Sequence, residues 1–239
     1  MENTLLPAIL MSALSLGCII VILAGLQSVL KKTGWPKEQR QSVFNKALLA
    51  IIIWVTGVGG LSLAGFFRYF ELPPRIVFIL IPAVLIFLLV SYSKKCKQLL
   101  KTVPPHWLVM IQSFRILVEL LLWQAFVKGL LPEQMTFEGR NFDILAGILG
   151  LVAGWLMLKN KSAWKSIAVV YNIIGLGLLL NILVIAVLSM PTPIRYFMNE
   201  PSNTIVAEFP FIYLPGILVV IAIAFHIFSL RQVAVVKST

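Results

Sequence analysis

Two charged residues stand one helical turn apart inside an apolar stretch, Arg115 and Glu119 in HWLVMIQSFRILVELLLWQAFVKGLL, residues 106–131. As i and i+4 they project from one face of a helix, with Gln112 a turn to one side and Trp123 a turn to the other. At about 1.5 Å per residue, Arg115 lies roughly 13 Å beyond His106, near the midplane of a hydrocarbon core about 30 Å thick. Exposing either charge to lipid would cost at least about 2.5–3.5 kcal/mol, so both must face protein, and each other. Three chemistries suit such a pair. It could hold a polar or charged ligand or ion, relay a proton, or act as a buried ion pair that fixes helix packing. In the last case Asn172 and Asn181 of a later span would take up leftover hydrogen bonds, and the Coulombic gain would roughly offset desolvation.

Other groups offer less. His106 and His226 fall toward one end of their spans and read as interface histidines, and Lys128 lies near enough to a helix end to snorkel. Two histidines, no CxxC and only Cys18 and Cys96 provide no metal-ligand spacing, and no cofactor is implied. The two cysteines sit at different levels, which argues against a disulfide. Ser62 and His226 belong to opposite ends of their spans, too far apart for a nucleophile and its base. FIYLPGILVVIAIAFHIFSLR has no lysine for a retinal Schiff base. No catalytic residues emerge, and the reading leans away from an enzyme.

Hydrophobic residues make up 59% of the 239, charged residues 12%, and the mean hydropathy is +0.96. Those values lie outside the range of soluble domains. The apolar residues fall in blocks about twenty long, which predicts one all-α membrane domain over 1–239, a bundle of seven transmembrane helices. The predicted spans are about 5–30, 46–67, 74–93, 106–131, 142–160, 165–189 and 210–231. MENT is acidic and the run Leu5 to Leu30 is long enough to span, so the first block reads as a helix rather than a cleaved signal peptide. Ser15-Leu16-Gly17-Cys18 lacks the usual Leu and basic n-region of a lipoprotein box.

The net charge of +11 sits in clusters at span ends rather than in a nucleic-acid-binding stripe. Fourteen Lys and Arg, including Lys31, Lys32, Lys94, Lys95, Lys97, Lys101, Lys159, Lys161, Arg231 and Lys237, fall on one side. Four, Arg68, Arg75, Arg140 and Arg195, fall on the other. The rich side is expected in the cytoplasm, with the N-terminus outside and the C-terminus inside. Its partners would be the bilayer and anionic lipid head groups. Acidic residues gather on the outer side, from Glu2 and Glu71 to Glu200 and Glu208.

Ala146, Gly150 and Gly154, and likewise Thr56, Gly60 and Ala64, recur every four residues and predict close helix packing, with a dimer face as the alternative. Two outer loops exceed what a connection needs. In PEQMTFEGRNFD, Asn141 suits a helix cap and Asp143 complements the helix's positive end. The loop Pro191 to Pro210 is compatible with lying along the interface or with closing over the bundle as a lid.

The segment Gln112 to Gly150, with FRILVELLLW and PEQMTFEGRNFDILAGILG, resembles uncharacterised multi-pass membrane proteins of bacteria. That resemblance implies a bacterial inner membrane and no particular chemistry. Two functions follow as expectations. One is binding or transport of a small polar or charged solute by Gln112, Arg115, Glu119, Trp123, Asn172 and Asn181. The other is a structural or partner-binding subunit in which Arg115 and Glu119 form a scaffold pair.

Overall fold

A computed structural model describes residues 2–236, so Lys237 lies outside them. The described residues are helical, with no strand. Their helices are α1 (Glu2–Lys31), α2 (Lys37–Leu63), α3 (Val77–Tyr92), α4 (Lys94–Thr102), α5 (Pro105–Met110), α6 (Phe114–Val127), α7 (Ile144–Lys159), α8 (Trp164–Leu188) and α9 (Val219–Val235). A 3₁₀ turn at Ile111–Ser113 joins α5 to α6 into one rod, Pro105–Val127. Five helical segments are long and apolar enough to cross a membrane, or six if the bent α3–α4 pair is one span. The sixteen-residue α7 is shorter.

An apolar helix lies at each of the seven expected positions, with shifted ends. The second begins at Lys37 rather than 46 because Lys, Glu, Gln and Arg after Pro36 are good helix formers that hydropathy overlooks. α6 stops at Val127 because Gly129 takes φ +69°. The amide N–H groups of Gly129 and Leu130 then donate to the Phe126 and Ala125 carbonyls, a Schellman stop. α4 had not been expected. It turns 78° from α3, is capped by Ser93 accepting from the Cys96 N–H at 3.2 Å, and buries Cys96 and Leu100 while its four lysines face outward.

The most enclosed helix is α9, which packs against α3, α4, α5 and α8. A π-helical turn at Leu214–Leu218 leads into it, and the Trp54 indole donates to the Gly216 carbonyl at 2.7 Å. α7 lies along the α5–α6 rod, and its small residues set the distance. Ala146 is fully buried, and a Cβ on Gly147 would stand 2.9 Å from the Ile116 backbone nitrogen. One on Gly150 would stand 3.0 Å from the Val109 carbonyl oxygen. The stripe expected in the fifth span is thus a contact face. That of the second span is not: Thr56, Gly60 and Ala64 are exposed, and Gly59, one position earlier, is the glycine that meets Tyr213.

At the end opposite α4, residues 128–143 fold back into the bundle. Leu131, Met135, Thr136 and Asn141 are buried, and the chain doubles so closely at Gly139 that a Cβ there would stand 2.4 Å from the Glu133 carbonyl oxygen. Residues 189–213 close over the same end as a roof. Val206, Ala207 and Ile212 enter the core, while Gln134 donates to Ser189 at 2.9 Å and accepts from Asn199 at 2.7 Å. On the roof's rim Arg195 donates to Glu200 at 3.0 Å, which with the Ser202 N–H holds that carboxyl below its ordinary range.

Gly147→Ala should lower stability by about 1–3 kcal/mol, since its methyl meets backbone. Gly177→Ala, with open space around it, should be neutral or gain up to about 1 kcal/mol. Thermal unfolding of the purified variants compares the two.

Candidate functional site

Arg115 is 2% exposed, and its partner is Asp143 rather than Glu119. The guanidinium grips Asp143 with two bonds, Nε to Oδ2 at 2.7 Å and Nη2 to Oδ1. Nη2 also donates to the Gly175 carbonyl and Nη1 to His226 Nε2, each at 3.2 Å. The expected pairing with Glu119 fails for two reasons. An Arg one turn N-terminal to a Glu is the poorer order for an i, i+4 pair. Asp143, at the start of α7, also presents both carboxylate oxygens edge-on to the planar fork.

His226 is the second correction. It is 1% exposed and central rather than interfacial. α9 runs to Val235, nine residues beyond His226, which places the ring roughly 13 Å from the helix end. Arginine cannot accept a hydrogen bond, so His226 Nε2 accepts and the proton sits on Nδ1. Nδ1 then donates to Asn172 Oδ1 at 2.7 Å. The Asn172 amide donates in turn to the Ala168 carbonyl at 2.7 Å and Ser229 Oγ at 2.8 Å. Tyr171 stacks on the imidazole with ring centres 5.7 Å apart and donates to the Ala146 carbonyl at 3.1 Å. Gly175 makes room, since a Cβ there would stand 2.6 Å from the imidazole Cε1.

Glu119, 1% exposed, takes a different partner. Asn141 donates to its Oε1 at 2.6 Å and to the Met135 carbonyl at 3.0 Å. Asn141 Oδ1 accepts from the Asp143 N–H at 3.0 Å, and no side chain caps the first turn of α7. The capping roles expected of Asn141 and Asp143 are therefore secondary to holding Glu119 and Arg115. Glu119 Oε2 has no hydrogen-bond partner. Glu119 borders a cavity of about 90 Å³ walled by α3, α6, α8 and the π-helical turn, with Met135 and Val206 beside them. Glu119 and Asp143 are the charged residues among lining groups that are otherwise apolar.

Of the other expected residues, Gln112 is fully buried and donates to the Ala222 carbonyl at 3.0 Å, leaving its Oε1 unpartnered. Trp123 and Asn181 lie outside the cluster. Trp123 donates to Glu138 at 2.8 Å on the surface, and Asn181 holds the Arg140 carbonyl at 2.9 Å. The sequence signal for the residues overlooked is the polar run His226, Ser229, Gln232 at three-residue intervals, one face of α9. Gln232 donates to the Leu100 and Val103 carbonyls at 2.7 Å. No group of three or more His, Cys, Asp or Glu arranged for a metal occurs among the described residues.

These features define a class: an all-helical bundle, apolar enough to span a membrane, with a charged network sealed among its helices. The chain belongs to the family of a domain of unknown function, DUF8737, whose match covers residues 73–234. That stretch holds every residue of the network and leaves α1 and α2 outside. Neither the curated proteins nor the solved structures give a match.

Asp143→Asn should destabilise the fold by about 3–5 kcal/mol, because Arg115 would remain buried without a counter-charge. Glu119→Gln should change stability by about 1 kcal/mol or less, since glutamine keeps an acceptor for Asn141. Denaturant unfolding of the two variants measures the contrast.

Proposed function

We propose that the protein is a multi-pass inner-membrane protein of bacteria that binds a small polar or charged solute at Glu119. Seven crossings place the N-terminus outside and the C-terminus in the cytoplasm, with α4 and its lysines against the anionic lipid of the cytoplasmic leaflet. The charge asymmetry supports that orientation. The tryptophans at the lysine-rich end, where Lys32, Lys159 and Lys165 stand about 6 Å over Trp107, Trp155 and Trp164, suit a membrane–water interface there. The short α7 fits a crossing completed by residues 128–143, because non-helical backbone at membrane depth is tolerated where protein buries it.

One observation carries the binding role: the unpartnered Glu119 Oε2 beside a cavity. Arg115 is the scaffold in this reading, for four of its five N–H groups are already engaged. The site and the strut that the sequence placed on one pair of residues are thus divided between them.

Native mass spectrometry of the gently solubilised protein tests the proposal. The wild type should carry a small-molecule adduct that Glu119→Gln and the cavity-filling Ala186→Trp both lose while remaining folded. Identical spectra for all three, or a stoichiometric partner protein in place of the adduct, would favour the structural-subunit alternative.

A further inference from the structure

The cavity beside Glu119 combines three properties that together select a ligand class. The first is charge. Asp143 takes the charge of Arg115 in a bidentate pair, while His226 accepts from Arg115 and Tyr171 donates to a carbonyl. No cation remains for Glu119, whose Oε1 meets a neutral amide and whose Oε2 meets nothing. As a carboxylate it leaves the network one negative charge out of balance in an apolar interior, a cost that either a proton or a bound cation relieves.

The second property is size. A dry cavity of roughly 150 Å³ holds a benzene molecule, so one of about 90 Å³ holds a compact head group and leaves the rest of a ligand in the opening. The third is where it opens. The partly exposed lining residues are apolar: Val77 and Leu80 of α3 on one side of a gap, Leu183, Ala186 and Val187 of α8 on the other, and Val219 of α9. The roof formed by residues 189–213 closes the end of the bundle, with Val206 over the cavity. In a membrane, that gap faces acyl chains rather than water.

We infer that the site takes a hydrophobic monocation, an organic ammonium with an apolar tail, which enters from the bilayer between α3 and α8 and places its charged head on Glu119. The inference rests on the binding role proposed above and adds to it the ligand's charge and route. The head supplies the missing positive charge, and the tail lies in the apolar gap. The field of Arg115 at such a ligand is offset by that of Asp143, its bidentate partner.

Titrating the full chain in phosphatidylglycerol nanodiscs with octylammonium and, separately, with octanol tests this, thermal stability being the readout. The cation should stabilise saturably, at a concentration at least about tenfold lower than octanol, as expected of one charge-assisted contact. Glu119→Gln should abolish that preference, and Ala186→Trp should abolish binding of both probes. If octanol and the cation act at equal concentration and Ala186→Trp removes both effects, the charge selection is overturned while the cavity remains a binding site. If neither probe stabilises saturably, and neither substitution changes the response, the binding role falls as well.

Discussion

A guanidinium buried among apolar helices must have its donors answered by protein, and much of this structure follows from meeting that demand at Arg115. Asp143 supplies the counter-charge, and to reach it α7 begins deep in the bundle instead of at its end. The segment before α7 must then descend with it, which is why residues 128–143 are irregular yet buried, and why Gly139 carries no side chain where the loop doubles back. Gly175 opens the wall of α8 so that its carbonyl accepts from Arg115. His226, Asn172 and Ser229 extend the network across to α8 and α9. Removing the charge pair would leave each of these features without a reason.

The network redistributes the roles of two carboxylates, since the sequence offers Glu119 as the partner of Arg115 and Asp143 only as a complement to a helix's positive end. Asp143 is locked by the fork of Arg115 and completes the strut. Glu119 is held on one oxygen by Asn141, itself part of the descending loop, and is open on the other. Of the buried side-chain atoms without a partner among the described residues, Glu119 Oε2 is the carboxylate oxygen, and Glu119 alone of their residues lines the cavity. Here it borders the one wall where α3 and α8 do not close on each other. The π-helical turn at Leu214–Leu218 forms part of the same wall, consistent with the tendency of such turns to occur at functional sites.

The apolar helices were legible because long hydrophobic blocks leave little choice of structure, and five of them, or six with the bent α3–α4 pair, are long enough to cross a membrane. Arg115 and Glu119 were legible as buried because charge at that depth cannot face lipid. The partner of Arg115 was not. Asp143 ends a twelve-residue polar loop and reads as the start of a helix, and nothing in its neighbours signals that the loop turns inward. His226 was misplaced by counting from a helix end drawn four residues short, at 231 instead of Val235. α4 escaped because a nine-residue amphipathic helix carrying four lysines resembles a solvated loop when only hydropathy is followed. The polar run on α9 was visible but needed the neighbouring helices to show which face it occupied.

Arg115 is a strut bound to Asp143, and Glu119 is free of it. A pair of double-mutant cycles tests this most directly, with unfolding free energy measured for Arg115→Met combined with Asp143→Asn and, separately, with Glu119→Gln. The account predicts a coupling of about 2 kcal/mol or more between Arg115 and Asp143 and less than about 0.5 kcal/mol between Arg115 and Glu119. A dominant coupling between Arg115 and Glu119 would contradict it.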